Sequence, residues 1–187
     1  MYIIEDSQFL KYEVNEVFSK FLPNDHVDTV FKLSPEFLKE RGIKGVITDL
    51  DNTLVAWDRK DATPEVIAWF KELKEAGIKV TIMSNNSKSR VAYFSDPLEI
   101  YFISKARKPM QTAFRRAKKE MELNNDEIVV VGDQLLTDVF GGNRAKLHTV
   151  LVVPIVKTDG FFTKFNRQIE RRLMEYFRKK GKLTWEE

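Results

Sequence analysis

Two aspartates stand one residue apart at the end of an apolar run, in Gly45-Val46-Ile47-Thr48-Asp49-Leu50-Asp51-Asn52-Thr53-Leu54. A buried strand over 46–50 would put Asp49 and Asp51 at its carboxyl end, where open α/β sheets receive their ligands. Strand alternation sends residues i and i+2 to the same side, so the two carboxylates can converge. Two such groups repel unless a proton or a cation lies between them. A hard divalent ion with oxygen ligands, such as Mg2+, answers that need at neutral pH. A plain strand followed by an Asp-Asn turn is the alternative.

Three further polar clusters follow other apolar runs. They are Ser84-Asn85, Lys108, and Gly132-Asp133-Gln134 with Thr137-Asp138. Each has an ordinary reading by itself, as a helix cap, a solvated lysine beside Pro109, or a strand-to-helix turn. What singles them out is their joint order at the ends of successive predicted strands.

The elements that would carry these clusters can be read from periodicity and punctuation. Leu10, Val14, Val17 and Phe18 give helical spacing over 8–20, and Leu22-Pro23-Asn24-Asp25 breaks it. A short extended piece is expected over 27–33. Ser34-Pro35 and Thr63-Pro64 combine an N-cap with proline at the first helical position, opening helices closed by Gly42 and Gly77. Strands are expected over 43–50, 78–83, 100–103, 128–132 and 149–153. Between them lie helices from Ser87 to Tyr93, from Pro109 to about Leu123, and from Leu135 to Ala145. The run Ile128-Val129-Val130-Val131 is apolar throughout, as suits a strand buried on both faces. Repeated strand–helix alternation predicts a three-layer α/β/α sandwich of Rossmann-like type, with a mainly parallel five-stranded sheet.

Composition narrows the class. At 187 residues, 43% hydrophobic and 32% charged, the chain reads as one globular domain over 1–187. It divides into an N-terminal helical extension (1–42), a strand–helix core (43–153) and a basic amphipathic C-terminal helix (157–182). The absence of cysteine excludes disulfides and thiolate metal sites. The first residues lack the pattern of a signal peptide, and no apolar run is long enough to span a membrane. A cytoplasmic location is expected. His26 and His148 have no partner recognisable in the sequence. Net charge is +3, but residues 157–182 hold nine Lys/Arg against three acidic residues, which leaves −3 for the rest.

The four clusters together resemble motifs I to IV of the haloacid dehalogenase (HAD) superfamily. The carriers are Asp49-Leu50-Asp51-Asn52-Thr53, Ser84, Lys108-Pro109 and Gly132-Asp133-Gln134-Leu135-Leu136-Thr137-Asp138, so the likeness covers about 43–153. More narrowly, the first run, the last run and Gly141-Gly142-Asn143-Arg144 are similar to the YqeG-type phosphatases of subclass IIIA. Those resemble phosphatidylglycerophosphate phosphatases.

The resemblance implies a phosphoric monoester hydrolase and a role for each residue. Asp49 would be the nucleophile forming an aspartyl-phosphate, and Asp51 the general acid and base. Mg2+ would bind the Asp49 carboxylate, the Asp51 main-chain carbonyl and Asp133. Ser84 and Lys108 would hold the phosphoryl group. Asp138 would orient Lys108 or a metal-bound water. Asn85 and Asn52 are weaker candidates for phosphate or loop contacts.

Neither 54–83 nor 85–107 is long enough for a folded cap, so the HAD-like core is expected to be capless and its site open to a large substrate. Trp57 lies in the loop after motif I and could overhang that site. Phe161, Phe162, Phe165, Ile169, Leu173, Tyr176 and Phe177 recur at helical spacing among basic residues. Such a helix could dock on the core or lie at an anionic membrane surface. The expected partner is a phosphorylated substrate, preferably a lipid phosphate of the phosphatidylglycerophosphate type. Peripheral contact with an anionic membrane would then run through the C-terminal helix. Nucleic acid is not expected. The alternatives are a phosphatase of soluble sugar phosphates or nucleotides, and a non-catalytic HAD-like assembly module.

Overall fold

The structure, a computed structural model, describes residues 18–156 and 161–183. Six strands form one sheet: β1 (Asp25–Val27), β2 (Gly45–Thr48), β3 (Lys79–Met83), β4 (Tyr101–Ile103), β5 (Ile128–Gly132) and β6 (His148–Val152). The helices are α1 (Pro35–Glu40), α2 (Pro64–Glu75), α3 (Lys88–Ser95), α4 (Gln111–Met121), α5 (Phe140–Arg144) and α6 (Phe161–Lys179). Strand order is β1-β6-β5-β2-β3-β4, and every neighbouring pair is parallel. β2 and β5 occupy the centre, so the two motifs richest in aspartate leave the sheet side by side.

The sheet has one strand more than expected. β1 adds at the edge beside β6, with Asp25 opposite Val150. The extended piece expected over 27–33 is instead this strand followed by a 3₁₀ turn at Val30–Lys32. An Asp-His-Val strand carries no apolar alternation, which is why periodicity misses it. His148 Nε2 lies 2.6 Å from Asp25 Oδ2 across that same pair, giving His148 a partner the sequence did not reveal.

Alternation along the strands builds the three layers. Val129 and Val131 of β5 join one apolar cluster with Val46, Leu50, Ile82, Leu38, Val66, Leu73 and Phe94, on the side covered by α1, α2 and α3. Ile128 and Val130 join Ile47, Met83, Ile103, Ala113, Phe114 and Met121 on the side covered by α4. The period-2 split of a single valine run between two cores is the signature of a sheet buried on both faces. The caps form as read: Ser34, Thr63 and Ser87 accept from the backbone N–H groups of Phe37, Val66 and Arg90.

One expectation needs revision. The helix expected over 135–145 opens instead as a π-helical turn, Leu135–Val139, and continues as α5. Most of the helix expected over 8–20 lies outside the described residues. At its end, the Phe18 ring packs on Tyr176 of α6, with centroids 5.3 Å apart. The C-terminal helix docks on the core: Phe177 is buried, and Met174 packs against Leu135, Val139 and Leu151. Its basic residues Arg171, Arg172, Arg178 and Lys179 are exposed. No helix among the described residues is long and apolar enough to cross a membrane.

Candidate active site

The site forms where β2, β3 and β5 end. The Asp49 N–H still pairs with the Val131 carbonyl at 2.9 Å, so Asp49 is fixed by the sheet although β2 proper ends at Thr48. The chain then turns tightly. The Leu50 carbonyl accepts from the N–H groups of Thr53, Leu54 and Val55, and Asn52 takes a left-handed φ of 64°. Asparagine tolerates that region better than most side chains. Asn52 also clamps the neighbourhood. Its Oδ1 accepts from the Trp57 N–H and its carbonyl from the Ile155 N–H.

Because the chain turns, the alternation expected of Asp49 and Asp51 does not carry through. The Asp51 carboxylate goes to a separate set of donors. Its Oδ1 accepts from Arg90 Nε (3.2 Å) and Nη2 (2.9 Å), and its Oδ2 from Asn86 Nδ2 (2.9 Å). Arg90 is anchored in turn by donating to the carbonyls of Arg59 and Lys60. Burial pushes the Asp51 carboxyl above its ordinary range, the Asn86 hydrogen bond pulls it down, Asp49 raises it and Arg90 lowers it.

The carboxylates that do converge are Asp49, Asp133 and Asp138. Each offers an oxygen, these lie within 4.8 Å of one another, and all three residues are buried. Lys108 sits among them. Its Nζ is 2.8 Å from Asp49 Oδ1 and 2.6 Å from Asp138 Oδ1, with the side chain 2% exposed. Burial alone would depress this lysine. The Asp138 and Asp49 charges outweigh that effect and hold it above its ordinary value, so it is cationic at any physiological pH.

Asp138 reaches this position through the π-helical turn, a device found often at functional sites. Its Oδ2 accepts from the Gln134 N–H and from Thr137 Oγ1, both at 3.2 Å. Gly132 makes room for it. A Cβ there would stand 2.2 Å from Asp138 Cγ, so glycine at the end of β5 is a steric requirement of this packing.

Ser84 is buried, and its Oγ accepts from the Asn86 N–H at 3.1 Å. Asn85, a candidate for phosphate or loop contact, spends its amide on the backbone of Lys108. Its Oδ1 accepts from the Lys108 N–H (2.7 Å), and its Nδ2 donates to the Lys108 carbonyl (3.3 Å). It braces the lysine. Trp57 is exposed, in the loop that Asn52 holds.

Two charged residues reach the site from outside the four clusters, on α6. Arg167 Nη1 donates to the Asp133 carbonyl (2.6 Å) and to Glu170 Oε2 (3.1 Å), and its Nη2 donates to Asp133 Oδ2. The other Asp133 oxygen accepts from Thr53 Oγ1 at 3.1 Å. Glu170 Oε1 accepts from the Leu136 N–H of the π-helical turn at 3.0 Å. One signal for this existed in the sequence. Glu170 falls on the stripe of Leu173, Met174 and Phe177, at i+3, i+4 and i+7, where a charge must be paired to be buried. Arg90 and Asn86 had no comparable signal.

The donor set fits a divalent cation. Among the described residues, the carboxyl groups of Asp49, Asp133, Asp138 and Glu170 gather around the cations of Lys108 and Arg167, so acidic oxygens outnumber the positive groups paired with them here. Burial pushes the Asp133 carboxyl up to about 8; Arg167 opposes this, and Asp49 and Asp138 add to it. Burial likewise raises Asp138, against Lys108. Oxygen-only ligands suit a hard ion.

A parallel sheet with an aspartate-rich rim and no inserted cap among its described residues defines the class. Residues 49–78 hold only α2, and residues 84–100 only α3 and one 3₁₀ turn. The chain belongs to the haloacid dehalogenase-like hydrolases, whose family model matches residues 12–146. It is 60% identical over 167 residues to the Bacillus subtilis (strain 168) protein named probable phosphatase YqeG, covering 89% of this chain and 97% of that one. It is 26% identical to an Arabidopsis thaliana protein named phosphatidylglycerophosphate phosphatase 1, chloroplastic/mitochondrial. That match covers 96% of this chain but 51% of the relative, so the chain spans about half its length. Among solved structures, the fold is similar to the cobalt-bound deoxy-D-mannose-octulosonate 8-phosphate phosphatase of Haemophilus influenzae. The TM-score is 0.53 at 19% identity, over 73% of this chain and 90% of that one. The fold of a Vibrio cholerae protein named putative 3-deoxy-D-manno-octulosonate 8-phosphate phosphatase gives a TM-score of 0.52 at 15% identity, over 86% of this chain and 98% of that one.

Proposed function

We propose that this hydrolase is a Mg2+-dependent phosphomonoesterase that works through an aspartyl-phosphate on Asp49, with 43–153 as the catalytic core of a single domain over 1–187. The observation that carries this reading is the buried cluster of Asp49, Asp133 and Asp138 with Lys108 between the first and the last.

Asp49, Asp133 and the main-chain carbonyl of Asp51 would hold Mg2+, with Asp138 near enough to share it. The ion supplies the positive charge that lets a carboxylate approach an anionic phosphate. An Asp49 oxygen attacks phosphorus, and the phosphorus–oxygen bond to the alcohol breaks. Asp51 gives its proton to the departing oxygen. Burial raises its pKa, the direction that suits a general acid. A water then attacks the phosphorus of the aspartyl-phosphate, Asp51 takes its proton, and Asp49 is regenerated. Lys108 and Ser84 hold the phosphoryl oxygens. Ser84 Oγ accepts from the Asn86 N–H, and its own hydroxyl proton remains a donor for a phosphoryl oxygen. Asn85 contributes by fixing Lys108.

The favoured substrate is a lipid phosphate of the phosphatidylglycerophosphate type. Three things support that preference: a rim without a cap among the described residues, the exposed basic residues of α6, and the name of the Arabidopsis relative. Met174 and Phe177 of α6 are engaged with the core, so contact with an anionic membrane would use its exposed basic side. The test is phosphate release, with Mg2+, from this lipid in anionic vesicles and from a panel of aryl, sugar and nucleotide phosphates. Inertness toward all of them refutes the enzymatic reading. Preference for a soluble ester refutes the lipid assignment alone.

A further inference from the structure

Arg167 stands on α6, far along the chain from the strand-end clusters, yet its guanidinium grips Asp133 at two points, the carbonyl and Oδ2. Thr53 holds the opposite carboxylate oxygen. An aspartate carboxylate swings easily about its last torsion, which is broad and roughly two-fold. Donors on both oxygens fix its plane. A guanidinium suits this work because its donors form a rigid planar fork. The fork is itself held. Glu170 accepts from Arg167 with one oxygen and from the Leu136 N–H with the other, and it is 3% exposed. The chain of contacts therefore runs from α6 through Arg167 to Asp133, and from Glu170 into the π-helical turn that carries Asp138.

We propose that Arg167 is a positioning residue for the metal site, setting the Asp133 carboxylate in its ligating orientation while Glu170 holds the guanidinium in place. The inference rests on reading Asp133 as a metal ligand. Its opposite is a competitor, an arginine that occupies the carboxylate and must leave before a cation binds. The geometry favours positioning. The contact to the Asp133 carbonyl and the Glu170 pair both hold Arg167 independently of the carboxylate. Partners of this kind, one step removed from a metal, usually govern its affinity by 10–100-fold.

The test is direct binding of Mn2+, followed by electron spin resonance, and of Mg2+, followed by calorimetry, on the full chain without substrate. Arg167→Ala is expected to weaken both metals by about 10–100-fold. Arg167→Lys, a point charge that cannot span both contacts, should fall between wild type and Arg167→Ala. Arg171→Ala, an exposed neighbour on the same helix, should bind as wild type does. Circular dichroism identifies the folded variants. If Arg167→Ala does not fold, Arg167→Lys and Glu170→Gln carry the test, each with a several-fold loss expected. Unchanged or tighter binding in the folded Arg167 variants overturns the proposal. A wild-type chain that binds neither metal overturns the reading of Asp133 as a ligand, and the two failures are distinguishable.

Discussion

Replacing Lys108 by methionine keeps most of its volume and deletes the charge that Asp49 and Asp138 share. Its Nζ lies 2.8 and 2.6 Å from the two carboxylates, and its side chain is 2% exposed, so water cannot substitute for it without opening the site. Removing one partner of a buried ion pair typically costs about 3–5 kcal/mol, because the remaining charge is stranded. For a chain of this size each kcal/mol lowers Tm by roughly 2–4 °C. The expected fall in metal-free buffer is therefore roughly 6–20 °C at pH 8. The pH dependence has a definite sign. Burial already raises Asp138 above its unfolded value, with Lys108 opposing, so removing Lys108 raises it further. A carboxyl raised in the folded state stabilises fully below its unfolded pKa, and that contribution is lost as pH rises through the folded one. The deficit of Lys108→Met should accordingly shrink from pH 8 to pH 5. Adding Asp138→Asn to Lys108→Met should recover part of the loss, with a coupling on the order of 1–3 kcal/mol. Thermal and urea melts of the four proteins of this cycle give the numbers. A Tm at pH 8 within a degree or two of wild type, or a deficit that grows on acidification, refutes the buried three-way pairing.

Other perturbations test other parts of the structure. Asp51→Asn should lower kcat by about 100- to 10,000-fold on an alkyl phosphate, and much less on an aryl phosphate whose leaving group needs no proton; equal losses on both would remove Asp51 from the acid role. Gly132→Ala places a Cβ 2.2 Å from Asp138 Cγ, so the π-helical turn must shift, at about 1–3 kcal/mol in a urea titration and with a loss of activity. Phe177→Ala should cost about 3–5 kcal/mol if α6 is docked as described, and an unchanged melting curve would mean that the helix is not part of the folded core. Asp133, raised to about 8 by burial, makes metal-free protein lose stability as pH climbs from the ordinary carboxylate range toward 8. Saturating Mg2+ should flatten that slope, and a Tm profile indifferent to Mg2+ would count against the cation site.

Local chemistry was legible in the sequence, and long-range chemistry was not. The valine run of β5 declares a strand buried on both faces, and Ser34, Thr63 and Ser87 each declare a cap, because both signals depend on neighbours within a few residues. The edge strand β1 was invisible because three residues, two of them polar, make no periodic pattern. The same limit applies at the site. Asp49, Lys108, Asp133 and Asp138 stand at strand ends in a telling order, and the structure brings them together. The orientation of Asp51 could not be read, since it depends on a turn that begins as soon as β2 ends and on Arg90 from another helix. For Asn85 the sequence allows a phosphate contact or a loop contact, and it cannot name the loop partner, because that partner is the Lys108 backbone more than twenty residues on. In the sequence, Arg167 is one of the nine basic residues of the amphipathic segment 157–182. Only Glu170, a charge on an apolar stripe, hinted that this helix turns toward the site.

The central claim is that Asp49 carries the phosphoryl group. Rapid-quench mixing of the Mg2+-loaded protein with a phosphate ester, followed by acid stabilisation and mass spectrometry of its peptides, reads that directly. Wild type should show a phosphoryl adduct on Asp49 that forms and decays on the timescale of turnover, and Asp49→Asn should show neither adduct nor turnover. Turnover without any adduct on Asp49, or an active Asp49→Asn protein, would contradict the account.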